Sequence, residues 1–268
     1  MMNSNAPIGI FDSGVGGLTV AREVMRQIPN EKIVYFGDTA RVPYGSKSKE
    51  TITKYSEQIV RFLREQNVKA IVVACNTASA YALDELEKEM NIPIIGVVKP
   101  GAKVAADATQ NGKIGIIGTE ATVGSKIYSR YINKIKPDAE VLGKACPLFV
   151  PLVEEGLLHD PVTDEIAMRY LSSLIDSGID TLILGCTHYP LLYSKIRLYV
   201  PQSAQVITQG EIIAESLIDY LKRHPEMDKK CSRSGSCRYL TTENPDKFSE
   251  MASLFMNEQA IATRITLS

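Results

Sequence analysis

Residues 70–79 read AIVVACNTAS, and residues 181–190 read TLILGCTHYP. Both open on a run of aliphatic and β-branched residues without polar alternation, which is how a strand covered on both faces of a parallel sheet reads. Both then pass through a small residue to a cysteine, a small polar residue and the start of a helical segment. They stand about one lobe's length apart, a weak internal echo. Working outward, further apolar runs occur as IGIF (8–11), IVYF (33–36), IIGV (94–97) and IGIIG (114–118). Amphipathic segments of helical period separate them at 18–28, 49–67, 78–90, 123–135, 163–176 and 212–223. Strand alternating with helix at this rhythm predicts an α/β fold with helices on both faces of a parallel-type sheet. VVKPG (97–101) and TQG (208–210) break both periodicities and mark two crossings between lobes. The expectation is two similar doubly wound lobes with the active site in the cleft between them. Residues 1–98 completed by 209–268 would form one lobe, and 99–208 the other. The polar stretch 224–238, HPEMDKKCSRSGSCR, reads as an exposed connection before a last strand, CRYLTT (237–242), and a last helix over 245–256.

Composition narrows the function classes. The 268 residues are 44% hydrophobic and 23% charged, with 30 Lys+Arg against 31 Asp+Glu and a formal charge of −1. This excludes a disordered chain, a collagen-like fibre and a disulfide miniprotein. Nucleic acid and acidic lipid both demand clustered Lys and Arg, so neither is an expected partner. The start, MMNSNAPIGIFDSG, lacks the charged segment and apolar stretch of a signal peptide. No apolar run approaches the roughly 20 residues of a membrane span. A soluble, cytoplasmic protein is expected. Its five cysteines, Cys75, Cys146, Cys186, Cys231 and Cys237, are an odd number that a reducing compartment keeps as thiols. Cys231 and Cys237 lack a second Cys/His pair at zinc spacing, so no metal is expected.

Ligands of open α/β sheets bind beyond the carboxyl ends of strands, where Cys75 and Cys186 fall. A helix N-terminus there stabilises a thiolate and draws its pKa down from about 8.5. The bland alternative, a cysteine that only fills core, weighs less for two in matched settings. FDSGVGG (11–17) follows the first strand; with Asp38 it faintly resembles a dinucleotide fingerprint, but Thr19 stands where the third glycine belongs. What remains is a tight turn whose N–H groups approach a small anion while Asp12 and Ser13 project into the cleft, or a plain turn. Tyr44, in GDTARVPYG (37–45), lines a pocket or covers the core. His188, two residues from Cys186, is placed to tune that thiol or act as acid/base, although a lone histidine is more often a satisfied core or surface residue.

FDSGVGG, VPYG (42–45), ACNTAS (74–79), IGT (117–119) with Thr122 following, and GCTHYP (185–190) occur in the order and spacing of bacterial glutamate racemases. On these motifs, over nearly the whole chain, the sequence resembles that cofactor-independent family of the aspartate/glutamate racemase superfamily. The resemblance implies an isomerase without cofactor that interconverts L- and D-glutamate and supplies D-glutamate for peptidoglycan synthesis. It implies that Cys75 deprotonates D-glutamate and Cys186 L-glutamate, with Asp12 assisting Cys75, and Glu154 and His188 assisting Cys186. It places Asp12, Ser13, Tyr44, Gly45, Asn76, Thr77, Thr119, Thr122, Thr187 and His188 around the substrate; Thr119 and Thr122 could equally be helix caps. A homodimer is the common assembly in the family. The few residues before Ile8 leave no room for the N-terminal extension of precursor-activated members, so that regulation is not expected.

Three other readings stay open. Aspartate racemases share the fold and the cysteine pair but match less well after the second cysteine. A thiol redox protein also wants exposed, acidic cysteines, but its pair must approach to a Cβ separation of about 3.5–4.5 Å. A non-catalytic binding role is neither supported nor excluded by a neutral charge. The stretch 229–237 matches no catalytic motif and reads as a solvated loop.

Overall fold

Aliphatic runs without polar alternation can present neither face to water, so they must be sandwiched, and helices with one apolar stripe are what cover them. The structure, a computed structural model, describes residues 6–228 and 235–267. The chain forms two units: one runs up to Val97 and resumes at Gly210, and the other is Val98–Gln209.

In the first unit β1 (Ile8–Asp12), α1 (Leu18–Gln27), β2 (Lys32–Gly37), α2 (Lys49–Glu65), β3 (Ala70–Val73), α3 (Asn76–Tyr81), α4 (Leu83–Glu89) and β4 (Ile94–Gly96) follow one another. The second holds α5 (Val98–Ala108), β5 (Lys113–Gly118), α6 (Glu120–Gly124), α7 (Ile127–Ile135), β6 (Glu140–Ala145), α8 (Phe149–Glu154), α9 (Pro161–Asp176), β7 (Thr181–Gly185), α10 (Tyr193–Tyr199) and β8 (Gln205–Ile207). α11 (Gln209–Arg223) leads back into the first unit, which ends with α12 (Pro225–Asp228), β9 (Ser236–Thr241), α13 (Pro245–Met256) and β10 (Ala262–Arg264).

Every strand pairing is parallel. The first sheet runs β10-β9-β2-β1-β3-β4 and the second β6-β5-β7-β8. The order β2-β1-β3-β4 is therefore repeated as β6-β5-β7-β8, the α/β architecture of two similar lobes that the sequence predicts. β1, β3 and β7 are buried along their whole length. α2 shows how a covering helix is specified: Ser48 Oγ accepts the Thr51 N–H at its start. Ile52, Ile59, Val60 and Leu63 then fall on one stripe, buried in a core cluster with Phe11, Phe36, Ile71 and Val73.

Several elements differ from the sequence reading. The segment 78–90 is two helices broken at Ala82, and 123–135 is α6 and α7, separated where Lys126 turns left-handed with φ 52°. At the boundary between the units VVKPG is helical and not a break: Val98 opens α5, with Pro100 in the first turn, where a missing N–H costs no intrahelical bond. Likewise Gln209 is the first residue of α11. β6 and β10 escape the periodicity because they are edge strands, half exposed and polar. The expected strand CRYLTT is β9, with Cys237 and Arg238 in register with Ile33 and Val34 of β2, so the solvated-loop reading of 229–237 fails at Cys237. Cys231 and the rest of 229–234 lie outside the described residues. Among the described residues no helix is long and apolar enough to cross a membrane.

Just before β7, the Asp180 carboxylate accepts the Thr109 hydroxyl at 2.6 Å and the N–H groups of Gln110 and Asn111 at 2.7 Å each. Partial burial raises its pKa, but these hydrogen bonds outweigh that and hold it below the ordinary carboxylate range. A lowered folded pKa gives stability that is complete above the unfolded value of about 3.9 and fades as pH falls through the folded value. Asp180→Asn should therefore lower Tm at pH 7, and the gap to wild type should narrow below about pH 4, as measured by thermal melts across pH.

Candidate active site

Because the sheets are buried on both faces, polar side chains collect where the strands stop. In the first unit β1 and β3 pair side by side with Phe11 opposite Val73. Asp12, the last residue of β1, and Ser13 after it are thus brought beside Cys75, two residues past the end of β3. Cys75 Sγ lies 3.8 Å from Ser13 Oγ. Asp12 is completely buried, and its Oδ2 accepts the N–H of Gly14 at 3.0 Å. The glycine-rich turn therefore wraps the chain's own carboxylate, with the Tyr35 hydroxyl donating to the Gly14 carbonyl at 2.8 Å. Gly17 permits this packing: a Cβ there would sit 2.5 Å from the Asp12 Cβ.

Cys75 precedes α3, with Asn76 and Thr77 buried on the first turn. The thiolate expected at a helix start is not what this site favours. Burial and then the nearby Asp12 charge push the Cys75 thiol up to about 12, against hydrogen bonds from Ala78 and Ser13 that pull it down. The pull of the helix start, felt through the Ala78 N–H, is smaller than either of these two effects.

The side chain of Tyr44 is committed to the core. It is 2% exposed, its ring lies 5.8 Å from that of Tyr55, and its hydroxyl donates to Asp38. Asp38 itself is completely buried and accepts Arg41 Nε at 2.7 Å, so it is no ribose ligand. Gly45 follows in the short 3-10 turn Tyr44–Ser46.

In the second unit β5 and β7 pair with Gly118 opposite Gly185, so Thr119 and Cys186 step off adjacent ends. Thr119 caps α6, its Oγ1 accepting the Thr122 N–H at 3.2 Å and lying 3.0 Å from Thr122 Oγ1. Cys186, Thr187 and His188 are buried. His188 places Nδ1 4.0 Å from Cys186 Sγ and Nε2 3.0 Å from Glu154 Oε1. A carboxylate at the end of α8 thereby orients the imidazole that faces the thiol. The following segment, with Pro190 in it, is a 3-10 turn, Tyr189–Leu192, rather than the helix that follows Cys75.

Sequence reasoning passed over Tyr189 and Cys146. Tyr189 is wholly buried, stands edge-on to Phe149 at 5.2 Å and donates to the Cys146 carbonyl at 2.8 Å, anchoring the loop that carries Cys186. Its motif position beside His188 was the available signal. The Cys146 thiol is raised by burial. Among the described residues no cluster of His, Cys, Asp and Glu is placed to hold a metal ion. The two strand ends thus offer two thiols, each with a different acid/base group close by, ringed by neutral hydroxyl and amide donors.

The Cys75 assignment of charge is checkable. Alkylation by iodoacetamide, followed by mass spectrometry of the Cys75 peptide, should still be rising with pH at pH 10. Asp12→Asn, which removes the negative charge, should move that profile to lower pH. A profile unmoved by the substitution would assign the shift to burial alone.

A family model described as Asp/Glu/Hydantoin racemase matches residues 12–217. The glutamate racemase of Geobacter metallireducens is 47% identical over 249 residues, 93% of this chain and 92% of that protein. A glutamate racemase isoform of Bacillus anthracis matches in structure with a TM-score of 0.94 at 38% identity, covering 99% of both chains. The glutamate racemase of Francisella tularensis, solved in complex with D-glutamate, matches with a TM-score of 0.90 at 37% identity over 98% of each. The chain therefore belongs to the Asp/Glu/Hydantoin racemase family and, within it, to the glutamate racemases, which are amino-acid isomerases.

Proposed function

We propose that this chain interconverts L- and D-glutamate by moving a proton on and off Cα with two thiols and no cofactor. The observation that carries the reading is the placement of Cys75 and Cys186 at equivalent strand ends of two sheets with the same strand order. In the proposed mechanism one sulfur, as thiolate, takes the Cα proton, and the electron pair left on Cα spreads onto the α-carboxylate. The other sulfur, as thiol, gives its proton to the opposite face, so the configuration inverts and the thiols exchange protonation states. Cys75 takes the proton from D-glutamate and Cys186 from L-glutamate.

Magnitudes say why each thiol has a helper. A turnover near 10 per second corresponds to a barrier of about 16 kcal/mol. With the Cys75 thiol up at about 12, ionising it into water at pH 7.5 costs about 6 kcal/mol. Asp12 lowers that cost by receiving the thiol proton within the site; beside Cys186 the proton acceptor is His188, held by Glu154. Asn76, Thr77, Thr119, Thr122 and Thr187 are neutral donors, which strengthen as charge develops on the carboxylate without needing reorganisation. Ser13 and the Tyr44–Gly45 backbone complete the hold on the substrate. The product serves peptidoglycan synthesis, and the working assembly is a homodimer.

The decisive experiment incubates the purified chain with L-glutamate in D2O, following optical rotation and the α-proton signal, with Cys75→Ala and Cys186→Ala alongside. Racemisation with deuterium incorporation in the wild type, lost by at least about a thousandfold in both variants, is expected. In a glutamate complex the sulfurs should stand about 6–8 Å apart, each about 3–3.5 Å from Cα. An active enzyme with either cysteine absent sinks the two-thiol mechanism; a chain that exchanges the α-proton of aspartate alone keeps the mechanism and changes the substrate.

A further inference from the structure

The turns between β2 and α2 hang on one carboxylate that the proposed chemistry does not use. Asp38 follows the last residue of β2 and is completely buried. Its Oδ2 accepts the Tyr44 hydroxyl and Arg41 Nε, the latter at 2.7 Å, and its Oδ1 accepts the Thr242 hydroxyl at 3.1 Å. The groups come from three places: the 3-10 turn Thr39–Arg41, the 3-10 turn Tyr44–Ser46, and the residue after β9. Arg41 is tied in turn to Gln58 of α2 at 2.6 Å and lies over the Tyr55 ring at 4.1 Å. Thr242 also accepts the Ala40 N–H at 2.9 Å.

We infer that Asp38 is a positioning residue for substrate binding: its buried carboxylate, through the Tyr44 hydroxyl, sets the Tyr44–Gly45 turn that holds glutamate. The inference rests on the reading of Tyr44 and Gly45 as substrate contacts proposed above. Both Asp38 oxygens are engaged by the protein, so the residue acts through Tyr44 and not on the substrate. The geometry explains why a tyrosine whose side chain is withdrawn into the core stands in a substrate loop: the ring and hydroxyl fasten the turn, and the backbone is left for the ligand. A carboxylate is suited to the place because its two acceptor oxygens take a hydroxyl, a guanidinium and a second hydroxyl at once, the guanidinium bond being charge-assisted, whereas an amide has one acceptor oxygen.

The test is steady-state racemisation in both directions, with thermal melts, for wild type, Asp38→Ala, Asp38→Asn, Tyr44→Phe and the Asp38→Ala/Tyr44→Phe double variant. A misplaced binding turn weakens ground state and transition state alike, so KM should rise about tenfold in Asp38→Ala while kcat changes less than about threefold. Asn keeps an acceptor for the Tyr44 hydroxyl and should bring KM back to within about threefold of wild type. Tyr44→Phe should raise KM in the same sense, and the double variant should be no worse than Asp38→Ala alone, because both substitutions cut the same link. Tyr44→Phe, which cuts the same hydrogen bond, keeps the test open if the alanine variant fails to fold. A fall in kcat with KM unchanged, additive effects in the double variant, or wild-type KM in any folded variant lacking the Asp38–Tyr44 bond would overturn the assignment. A wild type that leaves the α-proton of glutamate in place fails the underlying reading instead, and that is seen before any variant is compared.

Discussion

A parallel sheet covered on both faces satisfies its own backbone and demands apolar side chains throughout, so it leaves polar chemistry only the ends of its strands. That constraint organises both units. β1, β3 and β7 are buried from end to end, and at or just past their last residues stand Asp12, Cys75 and Cys186. Register then decides who meets whom. Phe11 opposite Val73 puts the Asp12–Ser13 turn beside Cys75, and Gly118 opposite Gly185 puts the Thr119 cap beside Cys186. The repeated strand order carries the same arrangement into both units.

The repeat is topological and not electrostatic. Cys75 has a buried carboxylate for a neighbour, and with burial this holds it as a neutral thiol. Cys186 has an imidazole backed by a carboxylate that is itself half in water. Two different devices thus stand beside two equivalent sulfurs. Under the proposed mechanism each sulfur needs a partner able to take and return a proton, and a carboxylate and a carboxylate-held imidazole are both groups of that kind.

The candidate site was legible wherever its logic is local. FDSGVGG announces a strand end followed by a tight turn, ACNTAS and GCTHYP announce strand ends with a cysteine before a helical segment, and the Thr119 and Thr122 pair could be read as a helix cap, which the structure has. Legibility failed where one residue answers to distant ones. Asp38 looked like a faint cofactor-binding acid, yet its Oδ1 accepts from Thr242, 204 residues away in sequence. Pro100 looked like a breaker because periodicity does not say that a proline falls in the first turn of a helix. β6 and β10 were invisible because edge strands need not be apolar.

The alternation of strand and helix, the parallel class of the sheets and the seat of the two cysteines at strand ends were determined by the sequence alone. Apolar periodicity and residue size act between near neighbours and survive in a string of letters. Which way the Cys75 thiol titrates, what the glycine-rich turn encloses and what fastens Tyr44 were decided only by tertiary structure. Desolvation and hydrogen bonding depend on which groups the fold carries in from elsewhere, and for Cys75 burial and the Asp12 charge together outweigh the local pull of a helix start.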